Sequence, residues 1–289
     1  MLETVAELVG SLVAGRAPAA AGVGTPGGVD SGGRVVGEAA NIPGWPGTEL
    51  GAAVARACGA SAYVRNDGNL AAYAEWAARG GASRALLFVG LGTGIGGGYI
   101  EDGRILGGVD DKALEIGHAI VYPEGRRCAC GRSGCVEAYA SGPSIGRIAV
   151  ELSSGYDTPL ARLARSGAAV NAREVYDAFR AGDGLAEAAH RIAAEALSRV
   201  IGSAIALLAP DRVVLGGGVM AGAGRLLEDV AALAPLYVYP AASEGLRFEP
   251  ALLGREAGLY GAALYGAAAL LPRDELFALS ARALERFTP

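Results

Sequence analysis

One imidazole and three thiols fall within eighteen residues, His118, Cys128, Cys130 and Cys135, in a chain with two histidines and four cysteines. Thiolate sulfur and imidazole nitrogen are the donors a tetrahedral zinc prefers, and Cys₃His is one of its closed structural sets. Gly131 and Gly134 let the backbone turn tightly enough for the three sulfurs to converge. Disulfides are the competing reading. They fare worse, because Cys128 and Cys130 are one residue apart and bridge with difficulty. The spacing predicts a structural zinc.

A second group of residues can handle phosphate. The run from Gly90 to Gly98 carries six glycines besides Leu91, Thr93 and Ile95. Glycines leaving a buried strand let backbone N–H groups face an anion, with the Thr93 hydroxyl as a further donor. No Gly-Lys-Ser/Thr follows, so this is not a Walker loop, and no dinucleotide fingerprint surrounds it. Gly216–Gly218 repeats the pattern after a second apolar strand.

Carboxylates complete the set. Asn66-Asp67 ends a short strand and precedes a helix. Either residue could cap that helix. The functional alternative is a carboxylate at the carboxyl end of a strand, where open α/β sheets place ligands and where a base could take a hydroxyl proton. Glu115 and Glu137 sit at the two ends of the predicted zinc loop, so one metal would fix both.

Elements must position these groups. Apolar residues at helical spacing (Leu2, Val5, Leu8, Val9, Leu12, Val13) predict a helix over 1–15. Strands are expected at 20–24, 33–36, 63–65, 83–90 and 212–216, and helices at 50–58, 69–79, 185–208, 223–235, 256–271 and 275–286. Asp102-Gly103 marks a hairpin. Strands alternating with helices predict an α/β fold. Cys58 reads as core packing and Trp45 as a loop anchor, while His190 reads as an exposed or half-buried helix residue and Asp30 and Glu38 as surface charges.

Composition excludes several classes. At 289 residues and 52% hydrophobic, the chain can fill one large domain or two ordinary ones. The net charge of −5 gives no basic footprint for nucleic acid. The longest uncharged run, 257–271, is too short for a membrane span and contains three glycines. The N-terminus lacks a signal-peptide layout, and thiols available for metal fit a cytoplasmic location.

Gly-Thr-Gly-Ile-Gly-Gly-Gly, Glu-Ile-Gly-His, Cys-x-Cys-Gly-x-x-Gly-Cys-x-Glu and Asn-Asp-Gly-Asn together resemble the ROK family of sugar kinases, repressors and open reading frames. Its enzymes include bacterial ATP-dependent glucokinases. The resemblance runs from Gly22 to about Leu271. It implies an actin-like ATPase (ribonuclease H-like) α/β fold of two lobes with a cleft between them. The expected small lobe is 1–80 joined by the C-terminal helix, and the large lobe 81–289 with the zinc loop 115–137. It further implies Asp67 as catalytic base for a sugar 6-hydroxyl, with Asn66, Glu115, His118 and Glu137 binding the sugar. His118 would also ligate zinc. Gly92, Thr93 and Gly94 match a phosphate loop, Gly216 and Gly217 an adenosine-side turn, and Mg²⁺ is expected with ATP. A homodimer is the implied assembly.

Two departures accompany the resemblance. Leu114 stands where a glycine usually precedes Glu115, within Asp-Asp-Lys-Ala-Leu-Glu. The family also opens with an Asp-x-Gly-Gly-Thr phosphate loop and hairpin, on the order of 30 residues, which this sequence lacks. A mis-placed start or a truncated chain is the expectation, and an upstream reading frame without Asp-x-Gly-Gly-Thr would refute it. The functional expectation is a hexose kinase, most simply a glucokinase. The alternatives are a kinase for an N-acetylhexosamine or fructose, and a sugar sensor that has lost transfer.

Overall fold

The computed structural model describes residues 1–15, 17–37 and 42–284. Helix α1 (Leu2–Val13) is followed by strand β1 (Ala21–Thr25), helix α2 (Leu50–Cys58), strand β2 (Ala62–Asn66) and helix α3 (Asp67–Ala78). Strands β3 (Ala85–Leu91), β4 (Ile95–Glu101) and β5 (Arg104–Ile105) come next. Then follow helices α4 (Glu137–Ala140), α5 (Gly142–Leu152), α6 (Pro159–Arg165), α7 (Ala172–Arg180) and α8 (Gly184–Leu208). Strand β6 (Arg212–Gly216), helix α9 (Gly224–Leu233), strand β7 (Arg247–Pro250), and helices α10 (Ala257–Ala268) and α11 (Arg273–Leu284) end the order. Two compact units result. One comprises Met1–Phe88, Gly98–Leu114 and Arg255–Pro289, the other Val89–Gly97 and Glu115–Gly254.

In the first unit β1 and β2 pair in parallel, from Ala21 opposite Ala62 to Thr25 opposite Asn66. Helix α10 lies close on β1 and α3. A Cβ at Gly22 would sit 1.7 Å from the Ala262 carbonyl oxygen, and one at Gly261 would sit 1.9 Å from that of Leu70, so glycine is required at both. Val29, Val35, Trp45, Leu50, Val54, Cys58 and Val64 form a core, against which the half-buried face of α1 packs through Leu2, Val5, Val9 and Val13. Cys58 is thus core, and Trp45 is a buried loop anchor whose Nε1 donates to Thr25 Oγ1 at 2.7 Å. The expected strand over 33–36 reduces to one antiparallel bridge between Val29 and Val35. The physical reason is Asp30. Its carboxylate accepts the N–H groups of Gly32 and Arg34, at 2.9 and 3.0 Å, and closes a turn there. Glu38 lies outside the described residues.

The Asp102-Gly103 hairpin forms as predicted, both residues having positive φ and Glu101 pairing with Arg104. In the second unit β6 and β7 pair in parallel from Arg212 opposite Arg247, a strand partner the sequence analysis did not delimit. Helix α8 is capped by Asp183, which accepts the N–H groups of Leu185 and Ala186. It is flanked by α5, α7 and α9, which leaves little solvent face. His190 is therefore buried, not exposed, with Nε2 2.6 Å from Asp229 and its ring 4.5 Å from that of Phe179. Among the described residues no helix is long and apolar enough to cross a membrane.

Thr25→Val is expected to lower stability by about 1–3 kcal/mol, because it strands the buried Trp45 N–H without an acceptor. Thermal unfolding checks this, and an unchanged midpoint would show the bond to be dispensable.

Candidate active site

The second unit gathers the metal donors first. The ligand atoms of His118, Cys128, Cys130 and Cys135 all lie within 4.8 Å of one another. Cys130 Sγ is 3.7 Å from Cys135 Sγ, and Cys128 Sγ is 3.8 Å from His118 Nδ1. Zn–S bonds of about 2.3 Å in a tetrahedron put sulfurs about 3.8 Å apart, so these separations suit that ion. The turn closes as the glycines require. Gly131 and Gly134 have positive φ, and a Cβ at Gly134 would lie 1.7 Å from the Tyr122 carbonyl oxygen. Burial pushes the Cys135 thiol up to about 12 and raises Cys128 as well, whereas the Arg132 backbone N–H lowers Cys130. A cation bound there must displace those protons.

The glycine turn after β3 is bound to the same loop. Glu137, the first residue of α4, accepts the Ile95 N–H through Oε2 at 2.9 Å, and its Oε1 lies 3.7 Å from Cys128 Sγ. A Cβ at Gly94 would come within 2.7 Å of that Oε2, which accounts for glycine there. Glu-Ile-Gly-His forms a 3₁₀ turn that buries Ile116 and leaves Glu115 and His118 exposed. Its Gly117 rests on the Ile95 carbonyl, 2.1 Å from a built Cβ. The other glycine turn is adjacent. Gly217 has positive φ and would place a Cβ 2.3 Å from the Leu91 carbonyl oxygen, which also accepts the Val219 N–H at 3.0 Å. Thus Gly92, Thr93 and Gly94 leave β3 beside Gly216 and Gly217 leaving β6, with Thr93 exposed. Two strand ends rich in backbone donors suit a polyphosphate.

The first unit carries Asn66 and Asp67 at the end of β2. Asn66, not Asp67, caps α3, its Oδ1 accepting the N–H groups of Gly68 at 2.9 Å and Asn69 at 3.2 Å. Its Nδ2 donates to the Gly27 carbonyl at 3.2 Å. Relieved of the capping role, Asp67 reaches the surface and accepts the Gly68 N–H at 2.9 Å. A groove of about 820 Å³, lined by β1, α1 and α10, runs past it. Burial raises the Asp67 pKa, partly offset by the backbone N–H groups of Gly68 and Asp67. A carboxylate of raised basicity at a strand end can accept a proton.

A profile of the ROK family matches residues 1–268. The chain belongs to the ROK family. A glucokinase of Halalkalibacterium halodurans is 35% identical over 247 residues, 83% of this chain and 73% of that protein. The kanosamine kinase of Amycolatopsis mediterranei is 37% identical over 237 residues, 78% of this chain and 73% of that one. Among solved structures, a ROK family glucokinase from Streptomyces griseus in complex with glucose and AMPPNP superposes with a TM-score of 0.76 at 29% identity, covering 92% of this chain and 88% of that chain. The fold is the actin-like ATPase fold of ROK sugar kinases.

Membership in the ROK family gives the Leu114 departure a structural sense. Leu114 has φ 62°, a left-handed conformation that glycine adopts freely and that costs another residue about 1–2 kcal/mol. Asp111 is a residue that sequence reasoning passed over. It is buried and bonded to Asn66, yet in sequence it is one half of an acidic pair in a turn, with no sign of its partner.

Cys130→Ser is expected to lose bound zinc and to lower the unfolding midpoint, since the loop that carries Glu137 loses a ligand. Metal analysis with calorimetry checks this. A variant with full metal content and an unshifted midpoint would remove Cys130 from the ligand set.

Proposed function

We infer that this ROK-family chain is an ATP-dependent sugar kinase, and we propose that it moves the γ-phosphate of ATP to the 6-hydroxyl of glucose. The observation that carries the mechanism is Asp67, a surface-reaching carboxylate at a strand end, whose pKa is raised by partial desolvation and which is spared the helix cap because Asn66 supplies it. In the proposed step the sugar oxygen forms a bond to the γ-phosphorus while the bond from that phosphorus to the ADP oxygen breaks. Asp67 takes the hydroxyl proton and the electron pair leaves with ADP. Phosphoryl transfer asks little covalent chemistry of a protein and much positioning, which suits residues held by backbone bonds.

Asn66, Glu115, His118 and Glu137 are proposed to hold the sugar. Asn66 Nδ2 has a second hydrogen to offer beyond the Gly27 bond, and Glu137 keeps Oε1 beyond the bond to Ile95. The glycine turns at Gly92–Gly94 and Gly216–Gly217 are proposed to face the nucleotide. Mg²⁺ bound with ATP would neutralise charge on its phosphates. His118, Cys128, Cys130 and Cys135 are proposed to hold a structural zinc, supported by their separations. A cytoplasmic homodimer is part of the same reading.

The similarity to a kanosamine kinase, at 37% identity beside 35% for a glucokinase, makes an amino hexose the second candidate substrate. ADP formation with glucose, kanosamine and N-acetylmannosamine separates them. A kcat/KM for glucose below that for either amino sugar would overturn the glucose assignment.

Asp67→Ala is expected to lower kcat by about 100- to 10,000-fold while folding is kept. The base works only when deprotonated, so activity falls as pH drops through its pKa. The raised pKa therefore places the acid limb of kcat/KM above the ordinary aspartate range. A limb at or below that range, or an Asp67→Ala enzyme of unchanged turnover, would show that Asp67 is not the base.

A further inference from the structure

We propose that Asp111 is a positioning residue for phosphoryl transfer, holding the backbone of Asn66 and thereby aiming Asp67. The inference rests on the reading of Asp67 as the base. The Asp111 side chain is fully buried, and both of its oxygens are used at the end of β2. Oδ2 accepts the Asn66 N–H at 2.7 Å, and Oδ1 accepts from Arg65 Nη1 at 3.1 Å. One carboxylate therefore grips the last two residues of the strand. Arg65 is fixed in turn, its Nε donating to the Tyr265 hydroxyl at 2.8 Å and its guanidinium lying 5.2 Å from the Tyr265 ring centre.

The grip reaches Asp67 through a short chain of bonds. Asn66 caps α3 with Oδ1, so its backbone and side chain together set where the helix starts, and Asp67 is the first helical residue. A buried charge is costly unless paired and hydrogen-bonded. Here both conditions are met at the residue before the proposed base.

The segment that carries Asp111 is folded around it. Asp110 and Asp111 have φ of 54° and 57°, left-handed values that few residues adopt. A Cβ at Gly107 would lie 2.1 Å from Asp111 Oδ1, so the loop closes directly on the carboxylate. The Asp110 carbonyl accepts the Val29 N–H at 2.8 Å, and the Gly107 carbonyl accepts the Ala113 N–H at 2.8 Å. Backbone held in a sparse region, with a charge delivered beside a reacting group, is the pattern in which strain serves positioning. Misplacing a catalytic group by roughly 1 Å can cost about 100-fold in rate.

Steady-state kinetics of sugar-dependent ADP formation, with a double-mutant cycle, test this. Asp111→Ala is expected to lower kcat about 100-fold. Asp111→Asn is expected to recover most of that, because its amide oxygen still accepts the Asn66 N–H. In an Asp67→Ala background, Asp111→Ala should cost nothing further, since the group it aims is gone. A merely structural residue would lower turnover by the same factor in both backgrounds, and that additive result would overturn the proposal. Equal losses in Asp111→Asn and Asp111→Ala would overturn it too. If Asp111→Ala does not fold, Asp111→Glu keeps the charge and shifts the acceptor. Loss of kcat that vanishes in the Asp67→Ala background would support the role, and wild-type kcat would overturn it. Wild-type turnover in Asp67→Ala would remove the base reading and this inference with it. A crippled Asp67→Ala beside an unaffected Asp111→Ala would remove this inference alone.

Discussion

The N–H of Ile95 donates to the Glu137 carboxylate at 2.9 Å, and the cysteine loop and the glycine turn of the second unit are joined by that bond. Glu137 stands two residues past Cys135 and opens α4, so the metal loop, a helix start and the glycine turn after β3 meet at one side chain. The carbonyl side of Ile95 is engaged as well, because Gly117 of the Glu-Ile-Gly-His turn lies against it. Hydrogen bonds to charged groups contribute about 1.5–3 kcal/mol, more than neutral ones. Any shift of the cysteine loop is consequently felt at the glycine turn. A metal held by those four donors would fix the orientation of the same groups.

In the first unit side chains hold the backbone directly. Asp111 ends the β2 strand with a buried carboxylate, and Asn66 starts α3 with its amide. The consequence for Asp67 is that only the backbone N–H groups of Gly68 and of Asp67 itself hold its carboxylate. A group meant to accept a proton must not already be saturated with donors, since each one lowers its pKa. Division of labour between Asn66 and Asp67 keeps the carboxylate basic, and burial raises it further.

Positive φ at Asp110, Asp111 and Leu114 concentrates backbone strain in the few residues before Glu115. Asp tolerates this conformation better than most residues, but a leucine does not. Leu114 therefore holds its left-handed conformation at a cost of about 1–2 kcal/mol. That cost is small beside total stability but large enough to need compensation, and Val29 and Gly107 supply hydrogen bonds across the loop.

Sequence alone determined that His118, Cys128, Cys130 and Cys135 could converge, because the intervening glycines permit a tight turn, and their ligand atoms do lie within 4.8 Å of one another. It also determined most elements: apolar periodicity gave α1, α2 and α8 their extents, and Asp102-Gly103 gave the hairpin, since these signals are local. Tertiary structure decided what depends on distant partners. His190 reads as a surface residue until α7 and α9 close over it, and Asp229 lies 39 residues further on. Asp111 reads as one of two acidic turn residues until its carboxylate meets Asn66, 45 residues before it. The choice between cap and base at Asn66-Asp67 was equally open, because either side chain can reach the helix N–H groups. Only the fold, by committing Asn66 to the cap, left the Asp67 carboxylate outside it.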